Sequence, residues 1–569
     1  MAALLLGVPT SGSYANNIAY ALSQQYMALF VQDDWRVSSK LTINAGLRWD
    51  YESPFTDRYN RMVSGFCTTC TNPLQTSVSS LPLYGGLTFA NTTVTPSRYV
   101  APKEFGHIQP RFGVSYQITP KLVARGGVGL FYFNTQDQPQ AQGFSASTNY
   151  VSGSGAFVPQ NSLSSPFPVS AGLPQGVNLP TGSSLGLSTA LGQSFSYTEP
   201  TTVQPKQLQY SAGLQYQLPG QTVLQISYVG NKVFQLPVNK AIDVLPASYQ
   251  GTVASPLIGS QIAALQNKVT SPFAGLSQMA GSSLAAATIP QFWLYGTYPE
   301  FTGVTDNFQP VGTVLYNSLQ VSVNKRLSHH FDIQGNFTWE KIMDKNVFLN
   351  PTDTNLFRYQ DSQPNLLSNL WGTYHFPEFA DKPIVREFLG GWKLQGVLRA
   401  SNAPLIANPG SIGGSANAPG AGNPGYTYKQ LMVPTPASRN YATMFNPCYL
   451  AWTEVAGTTG TWANASTCSG ANTTPAFQQE PLFTLNTLGP YMNIREIVHP
   501  LADASLFKTF KIRGATNFEI RGEFFNVLNT PNFGGPNTTP TGSGYGGVST
   551  PLSQANDARL TQLTARVNF

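Results

Sequence analysis

Charge is scarce in this chain, with Asp, Glu, Lys and Arg together making up 10% of its residues, against roughly 25% in an average globular protein. The 569 residues could form several soluble domains or one large barrel with long loops, and the shortage of charge favours the barrel. No apolar run approaches the roughly 18 residues of a membrane-spanning helix, so any crossing must be made by strands. The 32 basic and 26 acidic residues are spread along the chain without a Lys/Arg cluster, which argues against a nucleic-acid partner. Carboxylates are few and scattered, which disfavours a glycoside-cleaving pair. The start, MAALLLGVP, lacks a basic n-region and its apolar run is too short for a signal peptide.

Cysteine is also rare. Cys67, Cys70, Cys448 and Cys468 all lie in turn-rich polar segments. The Cys67-Thr-Thr-Cys70 spacing could be half of a zinc site, but no second Cys or His pair accompanies it. Two local disulfides, 67 to 70 and 448 to 468, fit an oxidising surface better, with free thiols as the other alternative.

What the sequence does contain is aromatics, at 12%, with 52 glycines and 43 prolines, a composition of many turns and few long helices. The mean hydropathy of −0.13 does not exclude a membrane barrel, which averages a lipid face with a polar lumen and polar loops. The stretch KLTINAGLRWDYE at 40–52 is the most informative. Leu41, Ile43, Ala45, Leu47, Trp49 and Tyr51 alternate with Thr42, Asn44, Gly46, Arg48, Asp50 and Glu52. That period of two gives a strand with one apolar and one polar face. At about 3.3 Å per residue the segment would be about 40 Å long, too long for a typical soluble strand and suited to a tilted bilayer crossing. Trp49 and Tyr51 then sit where aromatic girdles form.

The same pattern recurs at 24–37, 111–118, 121–133, 206–218, 222–230, 318–324, 331–340, 365–376, 391–400, 503–512, 517–528 and 558–569, about thirteen strands in all. Residues 1–23 show only a strand fragment around 17–21, and 53–107, about 70 residues up to 205, and 402–499 read as polar loops. Short turns at Ser38, Thr119, Pro219, His329 and Arg513 alternate with long loops, as in a barrel with short periplasmic turns and long extracellular loops. The expected fold is therefore an all-β transmembrane antiparallel barrel. Because a closed antiparallel sheet needs an even number of strands, thirteen means either that one strand is misjudged or that this is the C-terminal part of a larger barrel.

Chemical motifs are weak. Gly542, Gly544 and Gly547 match a dinucleotide glycine spacing without the strand and helix it needs. Gly182-Ser-Ser184-Leu-Gly186 matches a nucleophile elbow in spacing only. His329 and His330 read as solvated turn residues. Arg48 and Asp50, like Glu519, Arg521 and Glu523, alternate with apolar neighbours and are expected to face a lumen. Lys325, on an apolar face near a strand end, can snorkel to headgroups. No catalytic centre, cofactor site or metal site is expected.

Three segments, FVQDDWRV…LTINAGLRWDYESP at 30–54, IQPRFGVSYQITPKLVARGGVGLFY at 108–132 and FEIRGEFFNVLNTPNFG at 518–534, resemble the C-terminal barrel of TonB-dependent outer-membrane receptors, specifically the Oar-like group. The terminal ARLTQLTARVNF resembles the last strand of outer-membrane proteins, and this implies that Leu563, Ala565, Val567 and Phe569 form the signal read by the barrel-assembly machinery. The resemblance spans the strands of nearly the whole chain. It implies a barrel of about 22 strands with a plugged lumen, of which this chain supplies a little over half. The signal peptide, regulatory-like domain, TonB box and plug of that family have no counterpart in the sequence, so contact with the TonB complex would run through those N-terminal parts. The implied function is binding and TonB-coupled uptake of a small-molecule, peptide or glycan substrate in the cell outer membrane, with membrane lipid as the surrounding partner. A passive porin-like or adhesin barrel and a secreted β-rich glycan-binding protein are the alternative readings.

Overall fold

The computed structural model describes residues 11–135, 140–151, 178–252, 255–377 and 387–408. From 448 onward it describes 448–453, 461–464, 468, 477–478, 482–486, 489–496, 498–530, 532, 534–538, 547 and 558–569. Thirteen strands follow one another as hydrogen-bonded neighbours in chain order within a 15-stranded sheet. They are β1 (Tyr26–Arg36), β2 (Leu41–Glu52), β3 (His107–Thr119), β4 (Leu122–Tyr132), β5 (Lys206–Leu218), β6 (Thr222–Ala241) and β7 (Gly303–Ser328). The path continues through β8 (Phe331–Val347), β9 (Leu366–His375), β10 (Lys393–Ser401), β11 (Leu501–Arg513), β12 (Thr516–Phe525) and β13 (Leu560–Asn568). Ser194–Thr198 adds a parallel partner to β7 and Phe357–Gln360 an antiparallel partner to β8.

Register follows the alternation in sequence. Arg48 pairs with Gln109, Arg111 with Gly129 and Gly129 with Gln209, so the polar residues of neighbouring strands fall on one face. The opposite face is apolar and open from β2 to β13: Leu47, Phe112, Leu214, Ile226, Phe337, Leu370, Leu398, Ile520 and Leu563 are all exposed. The accessible surface of 31183 Å² compares with roughly 20,000 Å² for a compact soluble protein of this mass. A continuous apolar face across these twelve strands is a surface made for hydrocarbon rather than water.

Turns close the sheet on one side. His329 and His330 have φ of 52° and 72°, the pair of positive values a two-residue primed hairpin turn requires. Gly220 and Gln221, at φ 71° and 57°, make the equivalent corner between β5 and β6. β1 and β13 are the two ends of the path. Both run from the long-connection side to the short-turn side, so they are parallel to one another. An all-antiparallel closure therefore needs an odd number of further strands.

Three sequence expectations change. β6 runs eleven residues beyond the expected 230, to Ala241, and β7 begins at Gly303 rather than 318. Bulges between Phe234 and Leu236 and between Val238 and Lys240 shift the register there, and each shift breaks the period-two signal. The start of the chain also differs. Ser11–Asn16 pairs with Ala146–Val151 and Leu22–Ser23 with Thr56–Asp57, whereas a fragment at 17–21 was the expectation. Finally, Tyr51 lies 4% exposed beneath Phe105, with ring centroids 4.5 Å apart, and Trp49 Nε1 donates to the Phe105 carbonyl at 2.8 Å. A loop residue covers the end of the apolar stripe where a lipid-facing tyrosine was expected.

Candidate functional site

The long connections, read from sequence as polar loops, fold into a cap with its own core. Val63, Phe66, Leu83, Leu87 and Phe89 pack with Phe195 and Tyr197, and with Phe273, Met279, Leu284 and Phe301. These residues come from three different connections, so the buried apolar centre lies in the cap and not in the sheet. Phe66 sits at its middle, with Tyr298 edge-on at 5.0 Å and Tyr197 at 5.5 Å. The sequence signal was thin because the apolar residues occur singly between Ser, Gly and Pro, without a period.

Asp57 ties the start of the chain into this cap. Its carboxylate accepts from Ala21 N at 2.7 Å, Tyr59 N at 3.0 Å, and Arg61 N and Nε at 3.1 Å each. Burial pushes its pKa up, but the Arg61 guanidinium and the three backbone donors outweigh it and hold the group at about 2. Glu300 is the reverse case. It is fully buried, neither carboxylate oxygen has a hydrogen-bond partner among the described residues, and burial together with nearby Asp243 raises its pKa to about 8. Asp243 is itself raised by burial, to about 7, although its Oδ1 accepts from Tyr298 N at 3.0 Å. Neither acid has an ion-pair partner among the described residues.

Beside Asp243 lies a cavity of about 360 Å³. Its walls come from the top of β6 and the segment after it, from Phe292–Gly296, from Leu349–Pro351 after β8, and from Phe483 and Thr484. Phe483 has φ of 59°, an uncommon conformation for a bulky residue. It is held there by Gly251 N donating to the Phe483 carbonyl at 2.9 Å. Phe292 and Trp293 stack at 5.2 Å and Phe292 meets Phe483 at 5.4 Å. Thr484 is 3% exposed and its hydroxyl has no partner among the described residues. None of these residues carried a motif.

The residues singled out in sequence are placed as follows. Arg48 Nε meets Asp50 Oδ1 at 2.7 Å on β2, and Gln109 Nε2 donates to Asp50 Oδ2 at 2.5 Å. On β12, Arg521 lies 3.1 Å from Glu519 and 3.8 Å from Glu523. Both groups are on the polar face, but near opposite ends of the sheet path, so the fold does not unite them. Leu563, Ala565 and Val567 pair with Gly522, Ile520 and Phe518 on the apolar face, and Phe569 follows, 96% exposed. Cys67 is bonded to Cys70 and Cys448 to Cys468. Lys325 turns its ammonium onto the Phe331 ring, 4.1 Å from the centroid, and donates to the Ser328 carbonyl at 2.9 Å. Gly182–Gly186 lies in turns with no strand-to-helix elbow, and residues 542–546 lie outside the described residues. No cluster of His, Cys, Asp and Glu suited to a metal ion occurs among the described residues.

None of the curated proteins matches the sequence. Among solved structures, the ferripyoverdine receptor of the outer membrane of Pseudomonas aeruginosa is similar at 10% identity and a TM-score of 0.37, covering 96% of this chain and 38% of that one. The siderophore receptor of Acinetobacter baumannii is similar at 8% identity and a TM-score of 0.37, covering 95% and 45%. The alcaligin outer-membrane receptor of Bordetella pertussis is similar at 9% identity and 0.31, covering 88% and 43%. This chain thus spans less than half the length of these receptors. A family profile described as "Outer membrane beta barrel domain" matches residues 1–562, so the chain belongs to the outer-membrane β-barrel domain family and resides in the outer membrane of Gram-negative bacteria.

Proposed function

We propose that this chain is the C-terminal portion of a TonB-dependent receptor barrel of the Oar-like group, which binds a substrate at its cap and passes it through the polar interior. The observation that carries the reading is the run of thirteen sequential antiparallel strands with one polar face, one apolar face and a folded cap on the long-connection side. Arg48, Asp50, Glu519, Arg521 and Glu523 then solvate the lumen, and Leu563, Ala565, Val567 and Phe569 present the assembly signal to the barrel-assembly machinery. The missing odd number of strands and the TonB contact come from an upstream part of the same polypeptide. The reaction class is transport, with no covalent chemistry assigned to any residue.

The test compares three strains, wild type, one deleted for the whole gene and one lacking TonB, by the compounds each removes from a complex medium. The gene-deletion strain and the TonB-deficient strain should both fail to deplete the same compound. Depletion that persists without TonB would replace active uptake by passive diffusion, and depletion unaffected by deleting the gene would remove the transport reading.

A further inference from the structure

We propose that the cap cavity beside Asp243 binds an organic cation, an ammonium or guanidinium group on a compact body, with Asp243 as its counter-charge. The proposal rests on reading the cap as the substrate-facing side of a receptor, and it names the class of ligand that this side takes.

The lining holds one acid and no base. Tyr298 N occupies Asp243 Oδ1, and Oδ2 has no hydrogen bond among the described residues. The other polar side chains of the lining bring no further charge. Gln250 has already committed its Nε2 to the Leu245 carbonyl at 2.7 Å, which leaves its side-chain oxygen. Asn350 Nδ2 donates to the Asn486 carbonyl at 3.0 Å, and its Oδ1 accepts from Asn486 N at 2.6 Å. The Thr484 hydroxyl lines the cavity, buried and without a partner among the described residues. An ammonium or guanidinium head, a quaternary one included, presents positive charge and no acceptor to this set, whereas an anion would meet acceptors and a carboxylate.

The remaining wall is aromatic. Phe292, Trp293 and Phe483 line the same space, and a desolvated cation is attracted to aromatic rings. Glu300, near Asp243 and also without an ion-pair partner among the described residues, does not line the cavity, which leaves Asp243 as its counter-charge. A volume of about 360 Å³ is at the small end of ligand cavities. It suits a single cationic head with a short body.

The experiment titrates the whole chain, refolded in detergent micelles, with choline and with 3,3-dimethylbutan-1-ol, its neutral isostere, by calorimetry. Choline is expected to bind saturably, and the isostere at least about tenfold more weakly, since only the charge differs. Asp243→Asn and Trp293→Ala should each weaken choline by at least about tenfold, while Asp332→Asn on β8 leaves it unchanged. Unaltered far-ultraviolet circular dichroism and cap hydrogen exchange show that each variant has folded, and Trp293→Ala carries the test if Asp243→Asn does not. Equal binding of the two probes, undiminished binding by a folded variant, or no saturable choline binding at millimolar concentration would overturn the proposal. Because this assay needs neither TonB nor uptake, its failure alone would leave the transport reading standing, and failed uptake with intact choline binding would remove the transport reading instead.

Discussion

Glu300 makes the stability of the cap depend on pH in a direction opposite to that of ion-paired carboxylates such as Asp57. Its folded-state pKa of about 8 stands above an unfolded value near 4.5, so the folded cap retains a proton that the opened cap releases. Stability is therefore complete below the unfolded value and declines as pH rises towards 8. Integrating the two titrations from pH 6 to pH 8 gives a loss of about 2 kcal/mol from Glu300. Asp243, with a folded value of about 7, adds about 1 kcal/mol over the same interval. Together these lower the protection of amides around Tyr298–Val304 by about two orders of magnitude, after correction for the intrinsic exchange rate. Hydrogen exchange followed by mass spectrometry on the refolded chain measures this directly. Glu300→Gln keeps the shape of the neutral acid and removes its titration, leaving only the tenfold part due to Asp243. Should Glu300→Gln show the same pH slope as the wild type, or should protection increase with pH, the buried uncompensated carboxyl is not what sets the response.

Other perturbations test other parts of the structure. Asp57→Ala removes the acceptor shared by Ala21, Tyr59 and Arg61 and should loosen the 18–23 segment by about 2 to 3 kcal/mol, read as faster proteolysis after Arg58 and Arg61. The wild-type tie has a lowered pKa of about 2, so its contribution is present above pH 4 or so and is lost as pH falls towards 2, the reverse of Glu300. Ile226→Arg on the apolar face should cost about 2 to 4 kcal/mol of folding in lipid, measured by denaturant titration in vesicles, whereas Gln225→Arg on the polar face should be tolerated. Equal costs on the two faces would refute the assignment of lipid and water sides. Deleting Phe569 should reduce the assembled protein in outer membranes severalfold while leaving refolding in detergent unchanged, and unchanged assembly would rule out its role as a signal.

A period of two is enough to locate the sheet. Residues 40–52, 206–218 and 331–340 each read as strands because alternation requires no tertiary partner to be seen, and all thirteen strands of the path occur where that pattern lies. The short turns are equally legible, since residues such as Gly220 and the His329–His330 pair sit at corners that alternation brackets on both sides. What the pattern cannot show is anything that breaks it. The bulged extension of β6 beyond 230 loses its phase at Gln235, so alternation stops marking a strand that continues for eleven residues.

The cap is beyond the reach of the sequence for a different reason. Phe66, Phe195 and Phe301 come from connections more than a hundred residues apart, and no local signal says that such single apolar residues will meet. The same holds for the cavity, whose acid, aromatics and hydroxyl are isolated letters in Ser- and Gly-rich text until the fold assembles them. Alternation along the chain thus determined which side chains face lipid and which face water. Only the tertiary structure decided where the long connections pack, because their core depends on distant contacts and not on period.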